Sequence, residues 1–281
     1  MPESTDSGQQ QEKNIIVLDN FVSTLAQLKL NIDVYFNELQ RFNEEDNEKF
    51  GFIEKFKRLF NFKLDNLIEW FLDLEDEVLG SSTDAYYQIL FNSDQKITNS
   101  SEQVTRLVDA FLTQYFSLFD IFVKFVCNFK FPKLADEIDS LGTLYYYLDK
   151  HKDDVELKTV FGDMVANRTF FENMKNYRDY LVHQGNLSIE PTRQNPDEQG
   201  YSLNSFYMFE INKIEPRKYS KSKMNLQKVN IFIRQGLGFQ VQSFSNTLDR
   251  MRLEYYKPEE KKNKKAVLSA GLCLCNTEFV H

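Results

Sequence analysis

The chain has 281 residues, with 26 Phe and 14 Tyr against only 10 Gly and 6 Pro, and a net charge of −8. That length holds one substantial core, or one domain with an appendage, and the aromatic-rich, turn-poor balance argues for long packed helices and against a sandwich of short strands. The net acidity argues against a protein that coats nucleic acid through a broad basic surface, and three cysteines, Cys127, Cys273 and Cys275, make no even disulfide framework.

Residues 1–13 are polar and lack an apolar leader-like run, which predicts a disordered tail and a reducing, cytoplasmic setting. From Asn14 to about Phe42 the apolar set Ile15, Leu18, Phe21, Leu25, Ile32, Phe36 and Leu39 recurs at helical spacing. Two further helices are expected at Phe50 to Phe60 and Leu64 to Leu79, with Gly80-Ser81-Ser82 as a break, a short segment from Ala85 to Phe91, and a polar link from Asn92 to Ser100. A Ser-x-x-Gln box, Ser100 to Gln103, opens the next helix, which runs to Phe129 before Pro132. Its stripe of Phe111, Tyr115, Leu118, Phe122, Phe125 and Val126 is interrupted by Gln114, Asp120 and Lys124, which predicts a core helix and no membrane span. Lys133 to Lys150 and Asp153 to Val165 read as two more helices; in the first, Tyr145, Tyr146 and Tyr147 must point in three directions, so one ring belongs to the core and another to the surface.

The following helix carries the chemistry. Thr169 and Glu172 form a T-x-x-E box, Phe170, Phe171, Met174, Tyr177 and Leu181 supply the apolar face, and Gly185 supplies the stop. Its last turns hold Arg178, Asp179 and His183. At about 100° per residue Asp179 and His183 lie roughly 40° apart, so the carboxylate can hold the imidazole, whereas Arg178 and His183 lie about 140° apart. After Gly185, Leu187 to Glu190, Phe206 to Ile211 and Val229 to Arg234 are β-rich, and Phe239 to Tyr256 returns to helical spacing. The expected organisation is therefore mainly α: a helical bundle over 14–185, a small β-rich insert over 186–235, a C-terminal helix over 236–256 that packs on the bundle, and a flexible basic tail over 257–281.

Charge is unevenly placed. Residues 211–265 hold 14 Lys and Arg against 5 Asp and Glu, a net of +9, which leaves −17 for the rest. Lys213, Arg217 and Lys218 are the candidate substrate-binding cations of this stretch, and a solvated hairpin loop is the plain alternative. Cys273-Leu274-Cys275 has the wrong spacing for a zinc knuckle, and Asp136, Glu137 and Asp139 read as a solvated helix face, so no metal and no cofactor is expected. P-loop, dinucleotide-binding and nucleophile-elbow motifs are absent from the sequence.

The run Arg178-Asp179-Tyr180-Leu181-Val182-His183 resembles the R-x4-6-H signature of the HEPN superfamily. The resemblance implies an all-helical domain that pairs with a second copy, so that two motifs meet in one RNA-cutting cleft. It implies that His183 handles the proton of the 2′-hydroxyl or of the leaving oxygen, Arg178 stabilises charge on the phosphorane, and Asp179 orients the site, without a metal ion. It also implies a role in microbial defence or stress, with a regulatory partner to restrain the activity. The alternative is a non-catalytic helical module, HEPN-like or not, that binds a partner protein or a nucleotide.

Overall fold

A computed structural model describes residues 6–91, 94–184, 187, 189–192, 205–215 and 218–256. The chain is mostly helical, with a small three-stranded antiparallel sheet before its C-terminal helix. The elements in order are α1 (Asp6–Phe42), α2 (Asn47–Phe91), α3 (Asp94–Lys130), α4 (Leu141–Lys150), α5 (Val155–Val160), α6 (Gly162–Ala166), α7 (Arg168–Gln184), β1 (Ile189–Thr192), β2 (Ser205–Glu215), β3 (Lys218–Lys228) and α8 (Val229–Leu253). The backbone clusters into two units: Met1–Leu18, Lys63–Ser117 and Arg168–Leu237 form the first, and Asp19–Phe62, Leu118–Asn167 and Gly238–His281 the second. Thus α1, α2, α3 and α8 each contribute a segment to both.

Several boundaries differ from those expected. The helices read separately over Phe50–Phe60, Leu64–Leu79 and Ala85–Phe91 are one 45-residue helix, α2, in which Gly80-Ser81-Ser82 is absorbed. A helix-interior glycine costs only about 1 kcal/mol relative to alanine, too little to end a helix of that length. Helix α3 opens at Asp94, so Ser100 stands inside it and the link from Asn92 shrinks. The stretch 133–140 is not helical; turns occupy 132–137 and α4 starts at Leu141, because Ser140 caps it. The Ser140 hydroxyl accepts from the Thr143 amide at 3.2 Å and the Thr143 hydroxyl accepts from the Ser140 amide at 3.0 Å, a capping box with threonine in place of glutamate. Asp154 caps α5 through the Leu157 amide at 2.9 Å, and a break at Phe161 separates α5 from α6.

In the second unit α1 and α2 run antiparallel, tied by Asn61 to Asp33 at 2.6 Å and Lys57 to Asn37 at 2.6 Å. Their inner faces meet in a phenylalanine cluster: Phe36, Phe56, Phe60, Phe122, Phe125 and Phe244 pack ring against ring, with Phe56 and Phe125 stacked at 3.9 Å. Arg252 is buried in the same unit between the rings of Tyr35 and Tyr256 and is neutralised by Glu38 and Asp249. The three tyrosines of α4 divide as expected: Tyr145 is buried and its hydroxyl donates to the Met164 carbonyl at 2.8 Å, Tyr146 is exposed beneath Lys150, and Tyr147 stacks on His151. Cys127 is buried, and burial pushes its thiol up to about 12, which leaves it unreactive at neutral pH.

In the first unit α7 packs against α8, and α3 bonds to α8 at the same place. Tyr177 is buried against Phe232 of α8, with ring centroids 5.1 Å apart. Met174 lies against Gly236 of α8, where an added Cβ would stand 2.5 Å from the methionine sulfur, so the glycine is what lets the two helices approach. The Tyr115 hydroxyl of α3 donates to the Gly236 carbonyl at 2.9 Å. Among the described residues one helix, Glu102–Lys130 within α3, is long and apolar enough to cross a membrane by length and composition; 61% of its apolar window is buried inside the protein.

The sheet has the order β1-β2-β3. As an edge strand β1 accommodates Pro191, which lacks the amide a central strand requires. The stretch Val229 to Arg234, expected as a strand, is the start of α8: Val229, Phe232, Ile233 and Leu237 are buried at helical spacing, which outweighs the β-branched composition. The third strand is instead the basic segment 218–228.

Candidate functional site at the end of the motif helix

Helix α7 begins at Arg168, one residue before the expected cap, so Thr169 is inside the helix and Glu172 pairs with Arg168 at 2.7 Å. The expected capping box is therefore absent. The helix runs to Gln184, which places Arg178, Asp179 and His183 in its last two turns as expected; Gly185 lies outside the described residues.

Arg178 is 38% exposed at its side chain. Its Nη1 donates to Asp179 Oδ1 at 3.4 Å, and its guanidinium carbon lies 6.0 Å from the centre of the Phe116 ring on α3. Asp179, 19% exposed, uses its other oxygen to accept from the Tyr219 hydroxyl of β3, also at 3.4 Å. Burial, with the Asp179 charge adding to it, pushes the Tyr219 phenol above its usual value, so this hydroxyl stays protonated and donates. The expected hydrogen bond from Asp179 to His183 is not formed: the carboxylate is shared between its neighbour on α7 and a phenol from the sheet. His183 is exposed, has no hydrogen-bond partner among the described residues, and lies parallel to the Tyr219 ring at 6.4 Å and 17°.

Tyr219 therefore touches three residues of one helix end, because its ring also stands edge-on to Tyr180 at 6.2 Å. Lys221, two residues further along β3, sits over the Tyr180 ring at 5.1 Å. Neither residue is among the site candidates expected from the sequence, where Lys221 belongs only to the basic stretch that a solvated hairpin loop would also explain. The signal that could have found them is the alternation Tyr219, Lys221 in a run with few large apolar residues, which puts both on one face of a strand. Of the candidate substrate-binding cations, Lys213 is on β2 and exposed, Lys218 is at the start of β3 and paired with Glu215 at 2.7 Å, and Arg217 lies outside the described residues.

Beneath the motif the helix is anchored firmly. Tyr177 is fully buried, and burial, with the Glu210 charge adding to it, pushes its phenol far up, so it remains a neutral core group. The motif thus combines a fixed helix end with an open imidazole. Among the described residues no three His, Cys, Asp or Glu side chains come together as a group able to hold a metal ion; Cys273 and Cys275 lie outside them. Comparison of the chain with family models, with curated proteins and with solved structures finds no match.

Proposed function

We propose that the chain is a metal-independent endoribonuclease of the HEPN type whose site is completed by a second copy of itself. The observation that carries this reading is the open His183 imidazole on the same helix end as Arg178 and Asp179, with Tyr219 closing the cluster from the sheet. In the reaction the 2′-oxygen attacks the adjacent phosphorus as its proton passes to one imidazole. The bond from phosphorus to the 5′-oxygen breaks as that oxygen takes a proton from a second imidazole. The products are a 2′,3′-cyclic phosphate and a 5′-hydroxyl. One His183 supplies one titrating group; two copies about a symmetry axis supply both acid and base. Within one copy Arg178 lies over Phe116 while His183 lies by Tyr219, which favours an arrangement in which the arginine of one copy serves the histidine of the other.

The test is incubation of the purified protein with assorted RNAs and analysis of the new termini. His183→Ala and Arg178→Ala each abolish cleavage while the dimer, measured by sedimentation, persists, and EDTA leaves cleavage intact. Full activity in either variant removes the assignment. The second reading, a non-catalytic module binding a protein or nucleotide, is favoured by the Arg178–Asp179 pair, which already neutralises the cation that catalysis needs; it predicts no cleavage of any RNA.

A further inference from the structure

The register of the sheet brings to α7 a set of side chains that the chemistry of Arg178 and His183 leaves unused. On β2 the buried positions are Phe206, Met208 and then Ile211, a step of three that simple pleated alternation does not produce. At that step Phe209 pairs with Leu226 and Glu210 with Ser222, so three β3 residues, 223–225, fall between paired positions. Such a bulge re-aims the strand that follows it. Beyond it Ile211 and Lys213 share a face, and their cross-strand partners Lys221 and Tyr219 share the same one. The contacts fix which face this is: Tyr219 meets Asp179, Tyr180 and His183, and Lys221 covers Tyr180, so the face looks onto the end of α7.

Lys213 stands directly opposite Tyr219, with their Cβ atoms roughly 4.5–5.5 Å apart, and diagonally from Lys221 at roughly 7–8 Å. It is exposed and makes no ion pair among the described residues, whereas Lys218 is already neutralised by Glu215 at the turn. Two cations and two phenols thus flank an open imidazole in a protein whose net charge is −8. A polyanion is drawn to such a cationic face against the acidity of the rest of the chain.

We propose that the α7-facing side of the β2–β3 hairpin is the path of the single-stranded RNA, with Lys213 and Lys221 taking phosphates beside the one that is cut and Tyr219 holding the Asp179–His183 end of the site. This rests on the endoribonuclease reading and adds where the strand lies. Lysines that neutralise phosphates set the salt dependence of binding, by about 0.7 in the slope of log K against log salt for each contact with a single strand. Tyr180 and Tyr219 add ring surface that every base can use, so the path discriminates little between sequences.

The experiment measures binding of a fluorescent oligouridine, about twelve nucleotides long to match the reach of a single-strand groove, to the full chain carrying His183→Ala, which keeps the probe uncut, across a several-fold range of salt. Lys213→Ala and Lys221→Ala each lower the slope by about 0.7, the double variant by about 1.4, and the Lys→Arg exchanges restore it. The three substituted positions, 183, 213 and 221, are all exposed, and unchanged circular dichroism verifies the fold. Slopes that stay the same in the double variant, with the probe still bound, overturn the strand path and leave the nuclease reading standing. Failure of the His183→Ala chain to bind any RNA, together with no cleavage by the unaltered chain, overturns both.

Discussion

Arg234 of α8 donates through Nε at 3.1 Å and Nη2 at 2.8 Å to a single oxygen of Glu75 on α2. The glutamate side chain is 1% exposed and the arginine 14%, so the pair is nearly out of water. Burial pushes the Glu75 carboxyl above its ordinary value even though Arg234 pulls the other way. Exchange of Arg234 for methionine keeps most of the stem and removes the cation, which leaves a buried carboxylate without its counter-charge, at a cost of about 3–5 kcal/mol. With about 2–4 °C of Tm per kcal/mol for chains approaching this size, the expected fall is roughly 6–20 °C at neutral pH. The pH dependence has a definite sign. A carboxyl whose folded value lies above its unfolded one binds protons more readily when folded, so stability is highest below the unfolded value and is lost as pH rises through the folded one. Removing the guanidinium raises the folded value further. The deficit of Arg234→Met is therefore small near the unfolded carboxyl value of about 4 and large at neutral pH, and Glu75→Gln added to it recovers most of the loss. Thermal denaturation followed by circular dichroism at the two pH values reads this directly. A deficit below about 0.5 kcal/mol, in the range of surface substitutions, or one equal at both pH values, refutes the account of the pair.

Asp109 of α3 has a buried oxygen with no hydrogen-bond partner, and burial lifts its carboxyl to about 6. Its folded value thus exceeds the unfolded one, so it weakens the protein as pH rises from about 4 to about 6; Asp109→Asn flattens the Tm profile in that window and raises Tm at neutral pH, and an unaltered profile would count against it. Ser140→Ala removes the cap of α4 and costs about 1 kcal/mol, read as a shift in urea midpoint at constant slope, while Ser140→Asp retains most of the stability. The loss of cleavage in His183→Ala and Arg178→Ala, and the salt slopes of the lysine variants, test the site itself.

Much of the helical content is legible because the core is written at helical spacing in side chains too large to be placed otherwise. The stripe from Phe21 to Leu39 and that from Phe111 to Val126 mark faces that are buried in the structure. Boundaries are less legible, since they depend on small free energies. Gly80-Ser81-Ser82 reads as punctuation, yet its cost is minor against a 45-residue helix. Ser140 escapes a search for capping boxes because its partner is Thr143, whose hydroxyl takes the part usually assigned to a carboxylate. The opening of α8 reads as a strand because Val229, Ile231 and Ile233 favour strands locally, while burial of Phe232 and Leu237 with Ile233 decides the matter through tertiary packing.

The site divides along the same line. Arg178, Asp179 and His183 are visible because they lie within six residues of one helix, where angular arithmetic suffices. Their partners are not, because Tyr219 is forty residues away and reaches α7 only through a strand pairing and a bulge. Angular arithmetic assigns Asp179 to His183, and it cannot include a competing donor from another element. The consequence is chemical: a carboxylate engaged by Arg178 and a neutral phenol is a weaker anchor for imidazole, so His183 is left exposed beside the Tyr219 ring. A motif on one helix therefore defines which groups are available, and the sheet packed beside it defines which of them remain free to act.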